Sequence, residues 1–138
     1  MKQAPLAVVI PAYNEAETIA AVVVGARQFG DVIVVDDGSR DGTADLARGA
    51  GAIVVSLGGN TGYEGALGAG VQHAIDERYE FALTMDADGQ HSVESARALI
   101  SSLGAADVAK INAGFRREED SRIVGPALDA YAHEVSRL

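Results

Sequence analysis

Short apolar runs that recur along the chain constrain its fold more than any other feature. They cover residues 6–10, 32–35, 53–57 and 81–85, with a weaker fifth at 108–111. Because these runs are continuous rather than alternating, each is expected to be a strand covered on both faces, as in a parallel sheet between helices. The sequence therefore predicts an α/β fold.

The stretches between the runs carry helix signals. A capping-box-like segment at 14–17 (NEAE) opens a helix to Phe29, and Asp41-Gly42-Thr43 opens a short helix that ends at the glycines of 49–51. Two more helices are predicted at about 65–78 and 92–103, and a last one from Pro126 through Leu138. This order predicts a doubly wound, mainly parallel sheet that binds ligands at the carboxyl ends of its strands. Residues 1–104 form the predicted βα core, and 105–138 a short strand or loop and a C-terminal helix of the same domain.

Composition narrows the function classes. A chain of 138 residues supports one compact domain, and its net charge of −9 disfavours nucleic-acid binding. The absence of cysteine excludes disulfides and thiolate metal sites. No apolar stretch approaches the roughly 20 residues that span a bilayer, and no signal-peptide pattern opens the chain, so a cytoplasmic address is expected. Whether the protein forms a homo-oligomer stays open.

The most chemically informative motif is the segment DADGQH at 86–91, directly after the fourth apolar run. It places the oxygens of Asp86, Asp88 and Gln90 at the mouth of a strand. Carboxylate and amide oxygens suit Mg²⁺ or Mn²⁺ that shares its coordination shell with phosphate. His91 is expected to support this cluster rather than to be a ligand.

Polar or glycine-rich loops follow the other three strands, and all four loops are expected at one edge of the sheet. Tyr13 is expected to pack on a base or ribose, and Asp37 to accept hydrogen bonds from a nucleoside. Asp36 is expected to hold its own turn. The segment 58–70 contains six glycines, a density that permits close backbone approach to a ligand without matching a known phosphate-binding fingerprint.

Three segments together resemble the family 2 glycosyltransferases: VVIPAYNE at 8–15, VVDDGSRDGT at 34–43 and MDADGQH at 85–91. Within that family they are most similar to dolichyl-phosphate mannose synthases and bacterial polyprenyl-phosphate glycosyltransferases. The likeness covers about residues 4–104 and implies a nucleotide-diphospho-sugar transferase fold of the GT-A type.

The resemblance also implies roles for individual residues. It assigns nucleotide contacts to the first two loops, at Pro11, Ala12, Tyr13, Glu15 and Asp37. It places Asp86 and Ala87 beside the ribose and diphosphate. Asp88 and Gln90 match metal ligands, with Asp86 assisting, so Asp88 acts in catalysis through the ion.

Beyond residue 104 the likeness weakens. Gly114-Phe115-Arg116 matches a Gly-Ser-Arg element of the family only in part, and Arg116 is the second residue expected to act in catalysis. Arg116 and Arg117, together with Arg122, are expected to bind a lipid phosphate; alternatively, Arg116 and Arg117 lie in a solvated loop and balance neighbouring acids. No late catalytic acid is evident. Either the acceptor is a phosphate that needs no general base, or the chain is short or truncated and lacks its acceptor-binding half.

These observations predict a metal-dependent, inverting glycosyltransferase that uses a GDP- or UDP-sugar and a polyprenyl-phosphate acceptor at the inner face of the membrane. The first alternative is an inactive nucleotide-sugar-binding domain. A magnesium-dependent haloacid-dehalogenase-like phosphatase is less favoured, because its DxD motif follows the first strand rather than the fourth. A receiver-like module is disfavoured for a similar reason, since it needs acids where this chain has Pro11 and Ala12.

Overall fold

The computed structural model describes residues 4–88, 92–103, 107 and 132–138. Within these residues the chain forms one sheet of five strands in the order β3-β2-β1-β4-β5. The strands are β1 Leu6–Ala12, β2 Asp31–Asp36, β3 Ile53–Ser56, β4 Phe81–Met85 and β5 Ala132–Arg137. The first four run parallel to one another, and β5 pairs antiparallel with β4.

Among the described residues, four helices cover the sheet on both faces. They are α1 Ile19–Ala26, α2 Thr43–Gly49, α3 Tyr63–Asp76 and α4 Ser92–Ser101. Helices α1, α2 and α4 pack on the face formed by Leu6, Val8 and Ile10 of β1, whereas α3 packs on the face formed by Ala7 and Val9. Both faces of the central strand are therefore buried, as its continuous apolar run predicts.

Apart from the predicted C-terminal helix, the predicted strands and helices are confirmed where the structure describes them, with shifted ends. Strand β1 continues through Pro11 and Ala12, because these residues still pair in register with β2. Helix α1 begins at Ile19 rather than at the capping-box-like segment, because the backbone of Glu15 first accepts hydrogen bonds in a turn. The predicted strand at 108–111 lies outside the described residues.

The predicted C-terminal helix is wrong over Ala132–Arg137, which form β5. The physical reason is long-range: β4 lies at the edge of the parallel sheet, and its open backbone groups accept an antiparallel partner. The helical spacing of apolar residues in the sequence gives no information about such strand pairing. No helix among the described residues has the length and apolar character needed to cross a bilayer.

Helix α3 approaches the sheet closely because Gly70 faces it. A Cβ atom at Gly70 would lie 2.4 Å from a methyl carbon of Val9 and 2.8 Å from one of Val35, and both valines are fully buried. Valine side chains are stiff, so neither can move aside cheaply. The glycine therefore sets the distance between α3 and strands β1 and β2.

We expect Gly70→Ala to lower the free energy of unfolding by about 1–2 kcal/mol, because overpacking outweighs the gain in helix propensity. Gly68 is the matched control, since a Cβ there meets nothing within 4 Å. Gly68→Ala should raise stability by about 0.5–1 kcal/mol through helix propensity alone. Urea denaturation of both variants measures the difference, and equal effects of the two substitutions would contradict the close packing.

Candidate functional site

The carboxyl ends of the four parallel strands meet at one edge of the sheet. Strands β1 and β4 are neighbours, yet the chain leaves β1 towards β2 and reaches β4 only after β3. Such a reversal of strand order is where open α/β sheets bind ligands. The loops after the four strands therefore surround the expected crevice.

Asn14 joins the first loop to the second. Its φ of 53° lies in the left-handed region, which asparagine tolerates better than most residues. Its backbone N–H donates to the hydroxyl of Ser39 at 2.8 Å, and its side-chain oxygen accepts the N–H of Arg40 at 2.9 Å. The turn after β1 is thus fastened to the turn after β2.

A second set of contacts joins the same loops closer to α2. The N–H of Glu15 donates to the hydroxyl of Thr43 at 2.9 Å, and the N–H of Ala16 donates to Asp41 at 3.2 Å. Asp41 also accepts the N–H of Thr43 at 3.0 Å and the Thr43 hydroxyl. The Thr43 hydroxyl is the main cause of the lowered pKa of Asp41. Asp41 therefore lies at the start of α2, as predicted, and also fastens that start to the first loop.

The two acids that end β2 both serve the loops. Asp36 is buried and accepts the N–H of Ser39 at 3.0 Å, so its predicted role in holding the turn is confirmed. Asp37 is only 4% exposed. Its carboxylate accepts the N–H and the hydroxyl of Thr61 at 2.7 and 2.8 Å, and the N–H of Gly62 at 2.9 Å. These hydrogen bonds lower the pKa of Asp37 below its ordinary value, and the bond from the Thr61 N–H is the largest cause.

Carboxylates gather between the first and fourth loops. Ala87 is buried, and its carbonyl accepts the hydroxyl of Thr18 at 2.7 Å, which fastens the segment after β4 to the start of α1. The pKa of Glu15 is raised, first by burial and then by the negative charges of Asp88, Asp41 and Asp86. Glu15, Asp86 and Asp88 therefore share one electrostatic neighbourhood.

Among these acids, Asp86 and Asp88 are the two predicted metal ligands that the structure describes. Carboxylate oxygens are hard ligands, and Mg²⁺ is usually held by one or two carboxylates together with substrate phosphates rather than by an all-protein cage. Across the part of the chain that the structure describes, no group of three or more His, Asp or Glu side chains is placed to hold a metal ion by itself. Gln90, the third predicted ligand, lies outside that part.

Other predicted residues fall into two groups. Pro11 and Ala12 are the last residues of β1 and are buried, and the carbonyl of Ala12 accepts the N–H of Asp37 at 2.9 Å. The Tyr13 side chain is 42% exposed at the same edge, where a flat ring can meet a ligand. Arg116, Arg117 and Arg122 lie outside the described residues, so their predicted roles stay predictions.

Tyr63, which the sequence reasoning did not single out, lies near enough to Asp86 for that charge to act on it. It is the first residue of α3, is 48% exposed, and its pKa is raised by burial and by the charge of Asp86. Its phenol therefore lies near the carboxylates although β4 is distant in sequence. An aromatic residue directly after a glycine-rich loop was the available signal.

Comparisons with known proteins agree with this geometry. A family model described as Glycosyl transferase family 2 matches residues 7–126. Undecaprenyl-phosphate mannosyltransferase of Micrococcus luteus is 33% identical over 124 residues, which cover 84% of this chain and 50% of that protein. Glycosyltransferase AglJ of Haloferax volcanii is 37% identical over 100 residues, which cover 70% of this chain and 31% of that protein.

Solved structures confirm the expected GT-A fold. Glucosyl-3-phosphoglycerate synthase from Mycobacterium tuberculosis, crystallised with Mg²⁺ and uridine diphosphate, matches with a TM-score of 0.56 and 26% identity. The match covers 70% of this chain and 38% of that chain. This chain thus spans 31% to 50% of the length of the two relatives named above.

The lowered pKa of Asp37 predicts a pH dependence of stability. A carboxyl whose pKa is lower in the folded state stabilises the fold fully above its unfolded pKa of about 3.9, and this stabilisation is lost as the pH falls through the folded value. The difference in free energy of unfolding between wild type and Asp37→Asn should therefore be largest near neutral pH and shrink below about pH 4. Urea denaturation across this range measures it, with Asp45→Asn, an exposed carboxylate of α2, as the control. A difference that does not change with pH would contradict the assignment.

Proposed function

This chain belongs to glycosyl transferase family 2, and we propose that it binds a nucleotide-diphosphate sugar and transfers the sugar to a polyprenyl phosphate. The observation that carries the proposal is that Asp86 and Asp88 follow β4 at the reversal of strand order, with Glu15 near enough for their charges to act on it. Nucleotide ligands bind at this position in doubly wound sheets. The family match and the fold support the same donor class.

We propose that Asp86, Asp88 and Gln90 hold Mg²⁺ or Mn²⁺ against the diphosphate. A cation held by these residues would offset the charge that develops on the departing nucleoside diphosphate. Burial is the main cause of the raised pKa of Glu15, and the negative charges of Asp88, Asp41 and Asp86 raise it further; their repulsion favours a cation at this point. The relative crystallised with Mg²⁺ and uridine diphosphate supports this ion class.

The nucleoside side of the donor is assigned to the first two loops. The exposed ring of Tyr13 offers a stacking surface, while Pro11 and Ala12 contribute backbone at the end of β1. The network through Asn14 keeps this surface in place before ligand arrives. Because the loops are fastened to each other, binding costs little ordering entropy.

The acceptor proposal rests on the similarity to undecaprenyl-phosphate mannosyltransferase. A phosphate acceptor is already ionised near neutrality, so it needs positioning rather than a general base. Its oxygen forms a bond to the anomeric carbon in line as the bond from that carbon to the donor diphosphate breaks, which inverts the configuration. Arg116 and Arg117 are proposed to position the acceptor phosphate, and this chemistry would place the protein at a membrane surface.

We expect wild-type protein to bind UDP or GDP more tightly in the presence of Mn²⁺, by about tenfold or more. Asp88→Asn should remove most of that gain, because it withdraws a charged ligand from the ion. Isothermal titration calorimetry with and without Mn²⁺ measures both effects. Asp45→Asn removes one exposed carboxylate away from the site and should behave as wild type. If Mn²⁺ does not change the nucleotide affinity of wild type or of any variant, the metal assignment is overturned.

Transfer is tested separately from donor binding. With a radiolabelled nucleotide sugar and a short-chain polyprenyl phosphate, sugar should appear in the lipid fraction only when Mg²⁺ or Mn²⁺ is present. Tight donor binding without transfer would instead favour the donor-binding domain without catalytic activity. Failure to bind any nucleoside diphosphate would overturn both.

A further inference from the structure

We propose that Thr18 is a positioning residue, whose hydroxyl fixes the peptide between Ala87 and Asp88 and so keeps Asp88 in place beside Asp86 for the proposed cation. Thr18 directly precedes α1, and its hydroxyl donates to the Ala87 carbonyl at 2.7 Å, across 69 positions of the sequence. This inference rests on the proposed metal binding. It assigns a role to a residue that is not itself a ligand of the ion.

The Ala87 carbonyl lies between the two acids, so a bond to it acts on the segment that carries them. A peptide unit is planar, and a bond that holds the Ala87 oxygen therefore also fixes the N–H and the Cα of Asp88. On the other side, Asp86 directly follows Met85, which still pairs with β5 at the end of β4. The sheet thus places the first acid, and Thr18 places the second.

The capping geometry of α1 gives a second, independent observation. Thr18 is the N-cap residue, a position where a threonine hydroxyl commonly accepts a backbone N–H of its own helix. Among the described residues, however, the Thr18 side chain makes no such capping bond. Its φ of −115° and ψ of −21° are helical rather than extended, as an N-cap usually is. The helix therefore does not account for this hydroxyl, whereas the bond to Ala87 does.

Thr18 is itself held firmly by its neighbours. Its N–H donates to the carbonyl of Glu15 at 3.1 Å, and the N–H of Ile19 donates to the same carbonyl at 2.9 Å. Ile19 is fully buried in the core. The N–H of Glu15 donates to the hydroxyl of Thr43, which is also fully buried. The core and the second loop therefore fix the position of the Thr18 hydroxyl, as a supporting residue of a binding site requires.

The segment that Thr18 holds lies beyond the sheet. Asp88 is an exposed residue in a turn after β4, outside the ladder of hydrogen bonds that fixes the strand. If the Thr18 bond were lost, the peptide before Asp88 could rotate, and its carboxylate would take several orientations. Loss of a group that orients a metal ligand typically lowers metal affinity 10- to 100-fold. The surface proposed for the nucleoside would stay as it is.

A hydroxyl that only stabilised the fold would act differently. Its loss would weaken nucleotide binding by the same factor with and without the ion, because every loop at the edge of the sheet would be affected alike. Positioning of Asp88 instead predicts an effect confined to the part of the affinity that depends on the cation. The two roles are therefore distinguished by the dependence of nucleotide binding on Mn²⁺.

The test compares wild type, Thr18→Val, Thr18→Ser and Ser101→Ala in the full chain. Calorimetry gives the Kd of UDP or GDP, whichever wild type binds more tightly, over a series of Mn²⁺ concentrations. The Mn²⁺ requirement is the concentration that yields half of the gain in affinity. Thr18→Val keeps the branched shape without the hydroxyl, and Thr18→Ser keeps the hydroxyl. Ser101→Ala is the matched control, because the Ser101 hydroxyl also donates to a backbone carbonyl, that of Ala98 within α4, at 2.9 Å.

We expect Thr18→Val to raise the Mn²⁺ requirement about tenfold or more, and to leave the Kd of the nucleotide without Mn²⁺ within about twofold of wild type. Thr18→Ser should bring the Mn²⁺ requirement back to within about threefold of wild type, because the hydroxyl can again donate to Ala87. Ser101→Ala should match wild type in both measurements.

The inference is overturned if Thr18→Val leaves the Mn²⁺ requirement unchanged, or if it weakens nucleotide binding by the same factor with and without the ion. If Thr18→Val fails to fold, Thr18→Ala, compared with Thr18→Ser, decides in the same way. A wild type whose nucleotide affinity does not respond to Mn²⁺ overturns the proposed metal site and this inference with it. A response in wild type that Thr18→Val shares in full overturns this inference alone.

Discussion

Parallel pairing of β1 with both β2 and β4 is the constraint on which the rest of the structure depends. Because the paired strands point the same way, their carboxyl ends share one edge, and residues distant in sequence become neighbours there. Burial of β1 on both faces makes this register costly to change, since a slip by one residue would exchange the sides of every apolar group. The positions of the strand ends at this edge, and of the loops that follow them, are consequently fixed by the sheet.

At that edge, polar side chains form hydrogen bonds that connect the loops to each other. Asn14 and Asp41 join the first loop to the second, Asp37 joins the second to the third, and Thr18 joins the first to the fourth. Residues that look in sequence like ligand contacts thus also build the walls of the crevice. A preorganised crevice binds its ligand with less entropic cost than a set of free loops would.

The carboxylates that face the crevice behave differently from those within the loops. Hydrogen bonds from backbone and hydroxyl groups lower the pKa of Asp37 and Asp41, so these two acids are stabilised as anions by the protein. Glu15 instead has a raised pKa beside Asp86 and Asp88, where like charges and burial act together. The first kind of acid holds the loops together, and the second kind carries the proposed cation site.

Local pattern in the sequence determined the apolar strands, the order of strands and helices, the DxD segment after the fourth strand, the turn role of Asp36 and the place of Asp41 at the start of α2. These features follow from short-range periodicity and from chemistry within a few residues. Tertiary structure alone decided that Ala132–Arg137 pair with β4 as a strand, that the carboxylate of Asp37 is engaged by Thr61 and Gly62, and that Tyr63 lies near Asp86. Each of these contacts joins groups from distant parts of the chain. A local sequence pattern does not show which distant residue will become a neighbour, because folding alone brings the two together.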